Sequence, residues 1–133
     1  MRTILIEDSA AVRQSLKKML AQLSDEVQVV GEAETSRAAL ALIEQTKPEV
    51  IILDFVLKDG SGFEVLRHAK DHEPPPLVIV LSNQSLPPFR KKAQEQGADL
   101  FFDKANELEM IVATLHEKFK ARHAHELALA HNP

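Results

Sequence analysis

Glu7-Asp8, Asp54, Ser82 and Asp103-Lys104 each close or follow a short apolar run in this 133-residue chain. Carboxylates gathered at one place repel each other strongly unless a cation lies between them. Hard oxygen donors of this kind suit Mg²⁺, which binds through one or two carboxylates and keeps waters and substrate oxygens in its other positions. A carboxylate nucleophile, a divalent ion on phosphoryl oxygens and donors for the developing charge are the parts of phosphoryl transfer, which needs little acid–base help from the protein. On that reading Asp54 is the nucleophile and forms an acyl phosphate. Asp8 coordinates the ion directly, Glu7 does so through water, Lys104 pairs with a phosphoryl oxygen, and the Ser82 hydroxyl donates to another.

These residues can meet only if the segments carrying them converge. Apolar runs begin at Ile4, Val27, Val50, Leu77 and Leu100, at intervals of 23, 23, 27 and 23 residues. Several are apolar at every position and rich in β-branched residues, which suits strands covered on both faces, as in a parallel sheet. The second, Val27 to Val30, is less uniform and reads as an edge strand.

Helical patterns fill the gaps. Val12, Leu16, Leu20 and Leu23 recur at helical spacing behind Ser9, a suitable N-cap. Ala38 to Ile43 predicts a second helix that stops before Pro48. A third begins after Ser61-Gly62, and a fourth starts at Pro87-Pro88 and leaves through Gly97. The fifth spans about Glu107 to Lys120, with Leu108, Ile111, Val112, Leu115 and Phe119 on one face. Five strand–helix alternations imply right-handed crossovers and a doubly wound α/β layer, whose ligand sites lie beyond the carboxyl ends of the strands.

Composition sets bounds. With 44% apolar residues and a net charge of −4, the chain has the make-up of a folded domain and lacks the basic surplus of a duplex binder. Cysteine is absent, which excludes disulfides and thiolate metal sites. The opening segment is too short in apolar residues for a signal-peptide core, so a cytoplasmic location is expected.

Four segments together resemble the bacterial two-component response-regulator receiver domain, of the single-domain type related to the chemotaxis regulator. They are Ile-Glu-Asp-Ser at 6 to 9, Ile-Ile-Leu-Asp-Phe-Val-Leu-Lys-Asp-Gly-Ser-Gly-Phe-Glu-Val-Leu at 51 to 66, Val-Leu-Ser-Asn at 80 to 83, and Gly-Ala-Asp-Leu-Phe-Phe-Asp-Lys at 97 to 104. The likeness covers residues 1 to about 120, leaving 121 to 133 as a helical extension or disordered tail. It implies a flavodoxin-like five-stranded parallel sheet of order 2-1-3-4-5 flanked by five helices. It also implies Mg²⁺ (or Mn²⁺) held by Glu7, Asp8, Asp54 and the Val56 carbonyl, and a phosphoryl group passed to Asp54 from a histidine kinase or phosphotransfer protein. Ser82 would then move toward the phosphoryl group, with Phe101 at the aromatic switch position and a response on the face of the fourth helix, fifth strand and fifth helix.

Two positions depart from the family pattern. Lys58 stands where proline is usual four residues after the phosphoacceptor, and Ala105 replaces the proline that normally follows the lysine in a cis peptide. A cis bond before a non-proline residue costs about 3–4 kcal/mol, so a trans Lys104–Ala105 bond is expected.

Other features have plainer readings beside the functional ones. Phe101 reads equally as core or switch, whereas Phe102 reads as core. Arg90-Lys91-Lys92 is most simply a solvated helix face, and Pro74-Pro75-Pro76 a stiff loop. His116, His123, His125 and His131 fit no tight ligand spacing. Val56 cannot position water by hydrogen bonding whereas Gln84 can, which suggests slow self-dephosphorylation. Two other functions keep the same frame. An aspartyl-nucleophile phosphohydrolase would need an acid where Val56 stands, and a phosphorylation-independent interaction module would leave the acidic cluster unused. Output is expected through protein contact, either as a monomer or as a weak homodimer.

Overall fold

The computed structural model describes residues 1–83 and 87–130. Five parallel strands, β1 (Arg2–Ile6), β2 (Gln28–Ala33), β3 (Val50–Asp54), β6 (Leu77–Ser82) and β7 (Leu100–Asp103), form one sheet in the order β2-β1-β3-β6-β7. Counting only these five, the order is the 2-1-3-4-5 expected. A two-stranded antiparallel hairpin, β4 (Val56–Leu57) and β5 (Gly60–Ser61), follows β3 and was not anticipated.

Side chains alternate between the two faces of each strand, and the helices sort accordingly. Ile4, Ile6, Ile51, Leu53, Val78, Val80 and Phe101 point to one face. There they pack on Ala39 and Ile43 of α2 (Ser36–Thr46), Val65, Leu66 and Ala69 of α3 (Gly62–Lys70), and Ala93 of α4 (Pro87–Glu95). Leu5, Val50, Ile52, Ile79, Leu81 and Phe102 point to the other, against Leu16 and Leu20 of α1 (Ala10–Leu20) and Ile111 and Leu115 of α5 (Met110–Ala130). The unbroken apolar runs of β3 and β6 follow from this double cover. β2 lies at an edge, and its mixed composition matches that position.

Local signals set the helix starts. Ser9 Oγ accepts from Val12 N at 3.3 Å, and Thr35 Oγ1 accepts from Ala38 N at 3.1 Å. The α2 start is strengthened by Asp59, whose two carboxylate oxygens accept from Ser36 N at 2.6 Å and Arg37 N at 3.1 Å. This side-chain bridge ties the loop after β3 to the next layer. α2 ends with Lys47 in the left-handed region at φ 47°, and Gly97 takes φ 106° after α4.

Several boundaries differ from the sequence reading. β2 runs three residues beyond Val30, and α2 begins two before Ala38 and ends three after Ile43. α5 starts at Met110 rather than near Glu107, because Glu107 is engaged in the preceding turn: its carboxylate accepts from Asp103 N at 2.8 Å. α5 then continues ten residues past Lys120, and residues 121–130 are all exposed. Among the described residues, no helix is long and apolar enough to cross a membrane.

Gly62 lies where the chain turns from the hairpin into α3, and its N–H donates to Phe55 O at 2.9 Å. A Cβ here would lie 2.9 Å from the Asp54 carbonyl oxygen and 2.5 Å from Phe55 Cδ1. Backbone cannot yield as a flexible side chain can. Gly62→Ala is therefore expected to destabilise the fold by about 1–3 kcal/mol, read as a lower urea midpoint with unchanged slope.

Candidate functional site

The carboxyl ends of β1, β3, β6 and β7 converge on one edge of the sheet. Glu7 leaves β1 with its N–H donating to Ala33 O at 2.9 Å, and its side chain is almost fully buried. Asp54 closes β3 and is 4% exposed. Asp8 lies beside them, half-buried, and one carboxylate oxygen from each of the three residues falls within 4.8 Å of the others.

Lys104 supplies the counter-charge. Its Nζ donates to Asp54 Oδ2 at 3.0 Å and lies 2.5 Å from Glu7 Oε1. The Glu7 contact is a close, buried ion pair. The other oxygens are engaged: Glu7 Oε2 accepts from Ser9 N at 3.0 Å, and Asp54 Oδ1 accepts from Val56 N at 3.1 Å.

Electrostatics follow from this crowding. Burial pushes the Glu7 carboxyl up to about 7, with Asp8 and Asp54 adding to the rise and Lys104 and the Ser9 amide opposing it. Burial pulls the Lys104 ammonium down, but the Glu7 and Asp54 carboxylates outweigh it and its pKa lies above the ordinary lysine value.

These residues fit a hard divalent cation. One ammonium faces three carboxylates, which leaves two negative charges in excess when all are ionised. The donors are all oxygens, as Mg²⁺ prefers. Glu7 Oε1, buried against the Lys104 ammonium, keeps a second lone pair that such an ion, or a water on it, would take up.

Ser82 ends β6 fully buried, and its backbone carbonyl accepts from Lys104 N at 3.0 Å. Val56, by contrast, exposes 54% of its surface beside the pocket. Phe101 is buried under α4, and its ring centroid lies 6.0 Å from that of Phe89 in an edge-on contact. Phe102 faces the opposite core. Gln84 and His131 lie outside the described residues.

The Lys104–Ala105 bond is trans, as expected; the one cis bond among the described residues is Glu73–Pro74. Asp103 organises the turn instead. Its Oδ1 accepts from Ala105 N at 2.8 Å, while its backbone carbonyl accepts from Glu107 N at 2.8 Å. This carboxylate-to-backbone turn needs no proline.

Arg13, and the contacts that Lys58 and Arg90 make, do not stand out in the sequence. Arg13 donates through Nη1 to Glu7 O at 2.5 Å and pairs with Glu34 at 2.7 Å and Glu32 at 3.2 Å. Lys58 pairs with the same Glu34 at 2.9 Å, so the residue that replaces proline joins a charge network. Arg90 departs from the solvated helix face expected of it: it is half-buried, its guanidinium sits 4.7 Å over the Phe101 ring, and it pairs with Glu107 at 3.4 Å. Lys91 and Lys92 are exposed. Only the Arg13 spacing, one turn into α1, offered a signal.

The tail histidines do not assemble among the described residues. His116 Nδ1 lies 2.6 Å from Glu26, and His123 stacks on Phe119. A second His-containing group, Glu44, His68 and His72, lies at the far edge of the sheet.

Residues 3–116 match the response regulator receiver domain model, and the chain belongs to that family. A receiver domain is a two-component signalling module and, apart from self-phosphotransfer, not a catalyst. The signal receiver domain of a NarL response regulator from Mycobacterium tuberculosis superposes with a TM-score of 0.79 at 31% identity, covering 90% of this chain and 95% of that one. The response regulator domain of Thermotoga maritima CheB gives 0.76 at 26% identity, covering 91% and 94%. Among curated relatives, the transcriptional regulatory protein YhcZ of Bacillus subtilis is 32% identical over 86% of this chain. A protein-glutamate methylesterase/protein-glutamine glutaminase of Carboxydothermus hydrogenoformans is 36% identical over 90%. The chain spans 53% and 35% of the length of these two relatives.

A raised carboxyl pKa gives a stability that is full below about 4.5 and lost as pH climbs through about 7, because the native state binds the extra proton. Metal-free protein is therefore expected to lose on the order of 1–3 kcal/mol between pH 5 and pH 8 from Glu7 alone. Glu7→Gln should flatten that slope in urea titrations run with a chelator; an equally steep slope in the variant contradicts this source.

Proposed function

We propose that the chain is a phosphorylation-dependent switch in which Asp54 receives a phosphoryl group from a phosphohistidine on a sensor kinase or phosphotransfer protein. The observation that carries this reading is the shared pocket of Asp54, Glu7 and Asp8 with the Lys104 ammonium 3.0 Å from Asp54 Oδ2. In the transfer, a carboxylate oxygen of Asp54 bonds to phosphorus as the phosphorus–nitrogen bond of the donor imidazole breaks. The nearly complete burial of Asp54 limits the water that would hydrolyse the product. Lys104 sits on the oxygen edge where charge collects on the transferring group.

Glu7, Asp8, Asp54 and the Val56 carbonyl would hold Mg²⁺ or Mn²⁺, which supplies charge neutralisation to the phosphoryl oxygens when bound. Ser82 reaches the phosphoryl group after transfer and couples it to the segment that follows β6. The response then forms on the α4–β7–α5 face, where Arg90 and Phe101 already pack together. Phosphate shifts the population between two conformers only by contacting one better than the other. The output passes by contact with another protein, in the cytoplasm.

Two other functions fit the site less well. Val56, an apolar and half-exposed side chain, occupies the place where a phosphohydrolase would need its acid. The interaction-module reading leaves three buried or half-buried carboxylates and an ammonium with no chemical role.

Intact-protein mass after Mg²⁺ and acetyl phosphate is expected to rise by one phosphoryl group in the wild type and not in Asp54→Ala. Ser82→Ala is expected to accept the label yet lose most of the change in hydrogen exchange over β6, α4 and β7. Equal loss of label in both variants contradicts this division of roles.

A separate measurement concerns lifetime. Val56 cannot orient attacking water, so Val56→Asn is expected to shorten the half-life of phospho-Asp54 several-fold, by roughly 1 kcal/mol in barrier. Decay as slow as the wild type would reject that role for position 56.

A further inference from the structure

α2 and α3 pack side by side over the sheet through Ile43, Leu66 and Ala69. Both start at the edge that carries Asp54 and run to the opposite edge, where Glu44, His68 and His72 come together. His68 lies in the last turn of α3, and His72 lies two residues past its end, where its N–H donates to Ala69 O at 3.2 Å and turns the chain back beside His68. Their rings meet edge-on with centroids 5.2 Å apart. His68 Nε2 lies 2.8 Å from Glu44 Oε1, and His72 Nε2 lies 2.8 Å from the same oxygen.

The His72 ring has a fixed proton on its other side. His72 Nδ1 lies 3.1 Å from the His68 backbone carbonyl. A carbonyl can only accept, so Nδ1 carries the hydrogen and the neutral ring presents a lone pair at Nε2. That lone pair faces a carboxylate oxygen. Two acceptors 2.8 Å apart need something positive between them, either a proton on His72 or a metal ion. A ring nitrogen held by a backbone carbonyl while its other nitrogen faces the ion is the arrangement that orients metal-ligating histidines.

We propose that Glu44, His68 and His72 form a site for a divalent transition-metal ion, of which Zn²⁺ is the best match, tying α2 to α3 with water in the fourth position. Two imidazoles and a carboxylate are a donor set that such ions accept. At metal–ligand lengths of about 2.0–2.1 Å, neighbouring ligand atoms of a tetrahedron lie about 3.3 Å apart. The two 2.8 Å contacts therefore need to open by about 0.5 Å, within rotamer adjustment of partly exposed side chains. Lys47 does not block the ion, since its ammonium is bonded to Oε2 of Glu44 at 2.9 Å and leaves Oε1 to the imidazoles. The way in is open: Glu44 is about half exposed, and His72 also lines a cavity of about 490 Å³ beside Pro74, Pro75 and Pro76.

The site differs in chemistry from the Glu7–Asp8–Asp54 pocket. That pocket offers oxygens only, suited to Mg²⁺, whereas this one offers two nitrogens. An ion bound here would link two of the three helices on the α2–α3–α4 face, leaving the α4–β7–α5 face free.

Calorimetric titration of the 133-residue chain with Zn²⁺, in excess Mg²⁺, tests the proposal. The wild type is expected to bind one Zn²⁺ at this site, and Asp54→Asn is expected to bind it equally. His68→Gln, His72→Gln and Glu44→Gln should each weaken that binding by at least about tenfold, with circular dichroism reporting intact folding. In the wild type, NMR signals of the His68 and His72 rings should shift together on adding Zn²⁺. Unchanged affinity in the three variants overturns the site. So does loss of binding in Asp54→Asn, or in a His116→Gln, His123→Gln, His125→Gln triple variant, with the His68 and His72 ring signals unmoved.

Discussion

One ammonium group holds together an edge of the molecule that like charge would otherwise push apart. Lys104 reaches from the end of β7 to carboxylates at the ends of β1 and β3. Without that bridge, two almost fully buried acids would face each other across a pocket of low polarity, at a cost that only protonation or a bound cation relieves. Placing the ammonium correctly is thus the demand that the surrounding structure meets. The backbone of Lys104 is fixed by its N–H to Ser82 O, and the turn after it is fixed by Asp103 and Glu107. Even so, one positive charge does not balance three negative ones, and the imbalance is what makes the pocket receptive to a divalent ion.

At the two positions that depart from the family pattern, polar contacts shape the chain. Where a proline would stiffen the chain after the phosphoacceptor, Lys58 pairs with Glu34, and its neighbour Asp59 caps α2. Where a cis proline would shape the loop after the lysine, the Asp103 carboxylate draws the chain back through Ala105 N. In both places a rigid ring is replaced by directed polar contacts. Those contacts respond to solvent and charge in a way that a pyrrolidine ring does not.

The five parallel strands were legible because full burial on both faces leaves an unmistakable record, uninterrupted apolar runs such as Val50 to Leu53. The acidic residues at their ends were legible because the doubly wound topology sends every such end to one edge. What the sequence hid was of a different kind. The Val56–Leu57 and Gly60–Ser61 hairpin is too short to show a period. Arg90 looked like one of three solvated cations, and only the packing of α4 on β7 reveals that it lies on the Phe101 ring. His68 and His72 carry a four-residue spacing, but their partner Glu44 comes from another helix. No local pattern reports that meeting.

α5 has an unequal foundation. Its first turns are pinned by Ile111 and Leu115 in the core, whereas residues 121–130 are exposed. Ten residues on their own are too few to sustain a helix in water, since the first turn is so costly to start. The outer segment is therefore helical by extension from the packed base, with Arg122 paired to Glu49 and Glu126 near the junction. Loosening of the base on the β7 side would travel outward as loss of coil order, making the projecting end a far-reaching indicator of how firmly its root is seated.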